Sequence, residues 1–276
     1  MEVEIVPTLS PGSASDLASR AVRQGREMVL VCGGDGTLNE AINGLAGSTV
    51  PLGVLPGGTA NILAREMELP LNPVRAAAEL PRWSPRRIPL GRATWNVDPT
   101  STDGDPAQVS RFFVSVAGIG FDAHVVKELS PKNKLVWGVA GYIMEAVRQV
   151  FLYPFKGFSC RAGDGTEYVA TFAALQRARN YGGWLHLTPG ARFFDRRFTL
   201  CLFKSHKRAR YFLYAAAVLA RQHLRLRDVN LVETCKVSCT ARDTGEAIHF
   251  ELDGELGGTL PATFEIVSDA LTVLVP

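Results

Sequence analysis

Two glycine-rich stretches, each directly after an apolar run, narrow what this chain can fold into. They are "VLVCGGDGTLNEAINGL" at residues 29–45 and "VPLGVLPGGTAN" at residues 50–61. An apolar run, a turn nearly bare of side chains and then helical spacing make a strand-turn-helix unit. Two such units in succession are the pattern of a parallel α/β sheet. Residues 3–6, 28–32 and 50–56 read as strands, and 14–24, 38–45 and 61–68 as helices.

Gly33, Gly34 and Gly36 have no Cβ, so their N–H groups are able to converge on one point and approach a ligand closely. Such a nest at a helix start suits phosphate oxygens. A Walker A loop would continue with Gly-Lys-Ser/Thr; that lysine is absent, and Asp35 stands in the loop instead. A carboxylate repels phosphates unless a cation or a substrate proton lies between them. Asp35 therefore points to Mg²⁺ or a hydroxyl, the alternative being a cap on the helix. The second turn, with Gly57, Gly58, Thr59 and Asn61, falls at the carboxyl end of the next strand, where open α/β sheets bind ligands. The two turns are expected to form one phosphate-lined crevice. Glu40, one turn into the helix, is placed either to accept from a ribose hydroxyl, to brace the loop, or simply to lie on the surface.

From about residue 89 the pattern changes to short runs rich in Val, Phe and Thr between Gly, Pro and Asp turns, which reads as mostly antiparallel β. Residues 96–108 read as a polar loop, and 134–150 and 209–223 as helices. With 46% hydrophobic and 21% charged residues, the chain has the makeup of a globular protein rather than a disordered one. A net charge of +3 gives no argument for nucleic acid. Five scattered cysteines fit a reducing cytoplasm; Cys235 and Cys239 alone have close metal-ligand spacing and, with no second pair, read as core residues. No apolar run reaches the roughly 20 residues of a membrane span, and no signal peptide opens the chain.

GGDGTLNE at 33–40 and PGGTAN at 56–61 resemble the diacylglycerol kinase catalytic-domain family, which includes bacterial lipid kinases and sphingosine kinases. The resemblance continues through GIGFDA at 118–123, NYGG at 180–183, LTPGARFFD at 187–195 and LDGE at 252–255, and so covers nearly the whole chain. NAD kinases share GGDGT, but PGGTAN and the late DGE separate the lipid kinases from them. The resemblance implies an α/β plus β architecture. A parallel α/β nucleotide-binding domain would span 1–88, with 270–276 returning to it. An antiparallel β-sandwich would span 89–269, with the acceptor lipid between the two domains.

The resemblance also implies an ATP- and Mg²⁺-dependent kinase for diacylglycerol or a related lipid alcohol. An alcohol is a poor nucleophile at neutral pH, and a carboxylate within reach of its proton is the usual remedy. Asp253 is the expected general base, although Asp-Gly-Glu after a strand is by itself a turn signal. Glu255 is expected as a metal or water ligand. Asp35 would hold Mg²⁺ or orient the base, and Thr8, Thr37, Gly57, Gly58, Thr59 and Asn61 would contact ATP.

Two features depart from the family pattern. Many bacterial members carry Asp-Gly-x-x-Asp as a structural Mg²⁺ site. Here Asp195 is present, but Arg196 replaces the glycine and Thr199 the second acid. Members also open with one more strand and an Asn-Pro-x-Ser-Gly turn, and this chain opens on what looks like the second strand. The expectation is that Met1 is a miscalled or engineered start, and that a longer form binds ATP better. These departures keep alive a catalytically impaired nucleotide- or lipid-binding relic as the rival reading, with an NAD kinase behind it.

A lipid kinase meets its substrate at a bilayer, so the expected location is cytoplasmic with peripheral membrane contact, with a homodimer as the possible assembly. The basic and apolar segment 203–227 reads either as a membrane-surface helix or as one packed on a sheet with its arginines solvated. His206 and His223 read as surface or packing residues. Trp83, Trp137 and Trp184 read as core or as lining of a lipid cleft.

Overall fold

The computed structural model describes residues 3–97, 107–129, 131–178, 181, 185–243 and 247–276, with 131–139 described as helical backbone. Most of the polar loop at 96–108, Asn180, Gly182 and Gly183 of NYGG, Trp184 and the side chain of Trp137 lie outside the described residues. The chain divides into two compact units, Met1–Leu90 with Ser268–Pro276, and Gly91–Val267.

In the first unit, α1 (Ser13–Arg23), β1 (Val29–Gly33), α2 (Asp35–Leu45), β2 (Leu52–Pro56), α3 (Ile62–Glu66) and α4 (Pro73–Glu79) follow in order. β1 and β2 are parallel, from Val29 against Leu52 to Gly33 against Pro56. The end of β14 (Ala262–Val275) lies parallel to β2, with Val273 opposite Leu52. Leu38, Ala41, Ile42 and Leu45 form the buried stripe of α2, at the three- and four-residue spacing of a half-buried helix. α1 reaches α2 closely because residue 44 is glycine; a Cβ there would run into the Ser15 carbonyl and Ala18.

The expected strand at residues 3–6 does not form. Residues 3–9 lie outside helix and strand and are exposed, with Ile5 at 89% and Leu9 at 87%. Apolar residues alone do not make a strand, which exists only through its ladder; among the described residues β1 is paired with β2 alone. Trp83 is buried in this unit and so belongs to its core.

The second unit is a sandwich. One sheet runs in the order β10 (Val229–Thr234), β9 (Phe198–Phe203), β8 (Phe172–Gln176), β5 (Val116–Gly120), β12 (His249–Leu252), β13 (Glu255–Thr259), all neighbours antiparallel. The facing layer holds the first half of β14, then β11 (Lys236–Ala241), β6 (Phe158–Ala162) and β7 (Glu167–Ala170), and also β4 (Gln108–Phe113) paired with the later part of β3 (Ser84–Asn96). Period-two alternation sends one face of each strand inward. Rings from the two layers meet there: Phe113 stacks on Phe198 at 5.7 Å between centroids, and Phe250 meets Phe264 edge-on at 5.3 Å. All four are fully buried, each worth roughly 2–3 kcal/mol relative to exposure.

Helices α5 (Phe121–Glu128), α6 (Pro131–Leu152) and α7 (Arg208–Leu219) complete the unit. A second core forms where Phe155, Tyr211, Tyr214 and Val150 meet Cys201 and Phe203 of β9. Cys239 lies in the sandwich core, its sulfur 3.1 Å from that of its cross-strand partner Cys160. Cys235 is exposed, which corrects the expectation of a core residue: it precedes β11, outside the inward alternation.

Candidate functional site

The two glycine turns meet backbone to backbone in the first unit. Gly57 N–H donates to the Gly33 carbonyl at 2.9 Å, extending the β1–β2 ladder by one bond beyond the strands. One residue further on, a Cβ on Gly58 would come 2.6 Å from the Gly34 Cα, and a Cβ on Gly34 would come 3.3 Å from the Gly58 Cα. The first of these distances is closer than carbon atoms tolerate. Glycine at 58 is therefore a condition for the turns to lie side by side.

Asn61, at φ 47, clasps the second turn: its Oδ1 accepts from Gly58 N–H at 2.9 Å and its Nδ2 donates to the Gly58 carbonyl at 2.8 Å. Asp35 joins the turns by accepting the Ile62 N–H on Oδ1 at 2.7 Å. It is a cap, but on α3 rather than on the helix it begins. The first turn of α2 has no side-chain cap, so the N–H groups of Gly36 and Thr37 stay oriented outward along the helix axis. Thr37 packs beside Gly33, and Thr59 is exposed on the second turn.

Glu40 accepts the Gly12 N–H at 2.8 Å and the Ala14 N–H at 3.2 Å, so both of its oxygens brace the start of α1. Thr8 lies in the exposed segment before α1. Arg65, which the motif reading passed over, is exposed on α3 and donates from Nε to the Ala60 carbonyl at 2.8 Å, a cation at the second turn. Its signal in the sequence was its place four residues after Asn61.

In the second unit, Asp253 and Gly254 are the two-residue tip of the β12–β13 hairpin, with φ 51 and 82, the left-handed pair that such a tip requires. The Asp253 carboxylate folds back onto residues 114–116. Oδ1 accepts from Ser115 N–H (2.8 Å), Ser115 Oγ (2.8 Å) and Val116 N–H (3.0 Å), and Oδ2 from Val114 N–H (2.6 Å). Oδ1 is crowded by three donors, whereas Oδ2 accepts one and keeps capacity for another. Fully buried Arg177 holds the same segment by donating to the Val114 carbonyl at 2.8 Å, and also to Phe193 at 2.9 Å. Burial pulls its pKa down to about 10, opposed by the Asp253 charge, which leaves it a cation at neutral pH. Glu255 pairs with Arg111.

Beneath the tip lies a feature that the motif reading missed. Asp122 and Glu251 are 2% and 1% exposed, and Asp122 Oδ2 and Glu251 Oε1 crowd the same point above Gly118, where a Cβ would collide with both. Tyr142 donates to Asp122 Oδ1, and Gly254 N–H to Glu251 Oε2 at 2.6 Å. Burial raises the carboxyl pKa of Asp122. Burial and then the Asp122 charge raise that of Glu251 well above the usual range. Burial also keeps the neighbouring Tyr142 and Tyr181 phenols protonated. Two buried carboxylates so placed do not both ionise; they share a proton, which fills the hydrogen bond otherwise missing between them.

This pair fixes the sign of a pH effect. The folded chain keeps a proton that ordinary carboxyls in the unfolded chain release above about pH 4.5. Stability is therefore lost as pH rises from that point through the titration of the pair. Glu251→Gln, which cannot ionise, should lose less stability than wild type across that range, read as urea midpoints against pH. Parallel curves would remove the shared proton.

The described residues hold no group of three His, Cys, Asp or Glu side chains arranged for a metal. Asp195 is exposed, follows Arg192 in a turn and is flanked by exposed Arg196 and Arg197, so its surroundings do not fit a structural cation.

Residues 1–93 match the diacylglycerol kinase catalytic domain, and residues 115–275 the YegS C-terminal NAD kinase beta sandwich-like domain. A diacylglycerol kinase of Mycobacterium tuberculosis (strain ATCC 25618 / H37Rv) is 30% identical over 274 residues, covering 95% of this chain and 81% of that protein. One from Bacillus subtilis (strain 168) is 25% identical over 273 residues, covering 98% and 84%. A crystal structure from Bacillus anthracis str. Sterne has the same fold, with a TM-score of 0.73 at 19% identity over 98% of this chain and 83% of that one. The chain belongs to the diacylglycerol kinase family. It is a lipid kinase, built as a parallel α/β unit followed by an antiparallel sandwich.

Proposed function

We propose that the protein transfers the γ-phosphate of ATP to the hydroxyl of diacylglycerol or a related lipid alcohol. The observation that supports this most directly is the backbone contact of Gly34 with Gly58, which sets two glycine turns side by side at the carboxyl ends of parallel strands. The N–H groups of Gly36 and Thr37, with Thr59 and Arg65, receive the phosphates. Gly33, Gly57 and Asn61 hold the turns in place. Thr8 and Glu40 lie on the nucleotide side, Glu40 acting through its hold on α1.

Asp35 at the turns would hold the Mg²⁺ that accompanies ATP, an ion that keeps most of its waters and takes one or two protein carboxylates, and Glu255, paired with Arg111 in the second unit, would serve as a water ligand. When bound, that ion would supply neutralisation of the phosphate charge. Asp253 receives the acceptor hydroxyl proton on Oδ2 as the oxygen attacks phosphorus, while Ser115, Val114 and Val116 hold the carboxylate still. Phosphoryl transfer needs little more from a protein than this positioning.

Radiolabel transfer from ATP to diacylglycerol, monoacylglycerol, sphingosine and NAD in detergent micelles tests the reading. Label in diacylglycerol or another lipid alcohol is expected. Label in NAD alone would make the chain an NAD kinase. ATP binding with no labelled acceptor would make it a binding protein.

A further inference from the structure

From residue 140 onward, helix α6 carries apolar side chains on its outward side, unlike an ordinary surface helix. Its inward side carries Gly141, Gln149 and Val150, all buried, and Tyr142 reaching Asp122. Its outward side carries Ile143, Met144, Val147 and Phe151, between 43% and 65% exposed and spaced by three and four residues. α7 does the same on a smaller scale. Tyr211, Tyr214 and Val218 are buried, while Phe212 and Leu219 stand out at 42% and 64% exposure. The Phe151 and Phe212 rings meet at 5.5 Å between centroids, which joins the two stripes into one apolar face.

The charge along the α7 side of that face has one sign. Residues 204–227 contain seven Lys or Arg and no Asp or Glu, and Lys207, Arg208, Arg221 and Arg225 are exposed at the two ends of α7. The nearest acid on α6, Glu145, is engaged by Arg148 and Gln149. No helix among the described residues is long and apolar enough to cross a membrane. We propose that this α6–α7 face of the second unit is where the protein lies on an anionic lipid bilayer, with the aromatic and aliphatic side chains in the interfacial layer and the cations on headgroups. A twofold partner is the less favoured occupant, because it would bring the same cations against each other. The choice of a bilayer rests on the lipid-kinase reading; the apolar face and its charge do not.

The test is sedimentation of the full chain, without ATP, with phosphatidylcholine vesicles and with vesicles also containing phosphatidylglycerol. Wild type should bind the anionic vesicles much more strongly. Phe151→Asp with Phe212→Asp, and separately Lys207→Glu with Arg208→Glu, should each weaken that binding by about tenfold or more. Phosphorylation of a short-chain, water-dispersed diacylglycerol should stay within about twofold of wild type. Both double variants change exposed positions; should one fail to fold by circular dichroism, the other decides. Wild-type vesicle binding in a folded variant would overturn the proposal. So would light scattering that shows a dimer broken by the phenylalanine changes while vesicle binding is kept. Vesicle binding that is lost as expected, in a chain that labels no lipid, upholds the surface and sinks the kinase reading alone.

Discussion

Asp253→Asn is expected to lower turnover by at least about 100-fold, the usual scale for loss of a general base, with ATP affinity nearly unchanged. The geometry separates this from a folding defect. Oδ1 accepts three hydrogen bonds, and an amide oxygen is able to replace it. Oδ2 accepts the Val114 N–H at 2.6 Å, and there an amide NH₂ would point a donor at a donor. That mismatch costs about 1–3 kcal/mol of stability. Urea denaturation should show a modest loss, and kinetics on the folded fraction a large one. Ser115→Ala removes one hydroxyl donor to the same carboxylate and should cost stability with a much smaller fall in rate. Near-normal turnover in folded Asp253→Asn would end its assignment as the base, and the hairpin tip would then be purely structural.

Gly58→Val should weaken ATP binding by on the order of tenfold or more. Its Cβ would sit 2.6 Å from the Gly34 Cα, a backbone atom between β1 and α2 that has no flexible end to swing away. The turns must separate, at the 1–3 kcal/mol typical of overpacking, and the N–H groups of α2 leave their positions. Gly34→Ala should be milder, because its Cβ would meet Gly58 at 3.3 Å, a gap that a few tenths of an ångström relieves. The two turns are therefore unequal in what they tolerate. Titration calorimetry with ATP, beside circular dichroism, makes the comparison. Unchanged affinity in a folded Gly58→Val would take the turns out of nucleotide binding.

The glycine turns were legible in the chain because every part of the signal is local: an apolar run, residues without Cβ, and a helical stripe within about fifteen positions. The β-rich second half was legible through alternation for the same reason. Residues 3–6 carry three β-branched apolar residues, yet form no strand, because pairing is a property of two segments and the second is not encoded in the first.

The roles of individual acids were much less legible. The chain singles out Asp35, Glu40 and Asp253 as carboxylates in suggestive places. It does not say that Asp35 caps α3, that Glu40 braces α1, or that Asp253 binds a segment 139 residues away. Asp122 and Glu251 attract no attention as letters, and only the folded chain buries both above one glycine. The sequence by itself determined the order of the α/β and β parts, the two turns and the family. Tertiary structure decided which carboxylates are spent on backbone N–H groups and which share a proton, because hydrogen-bond partners and solvent exclusion arise only when distant segments pack.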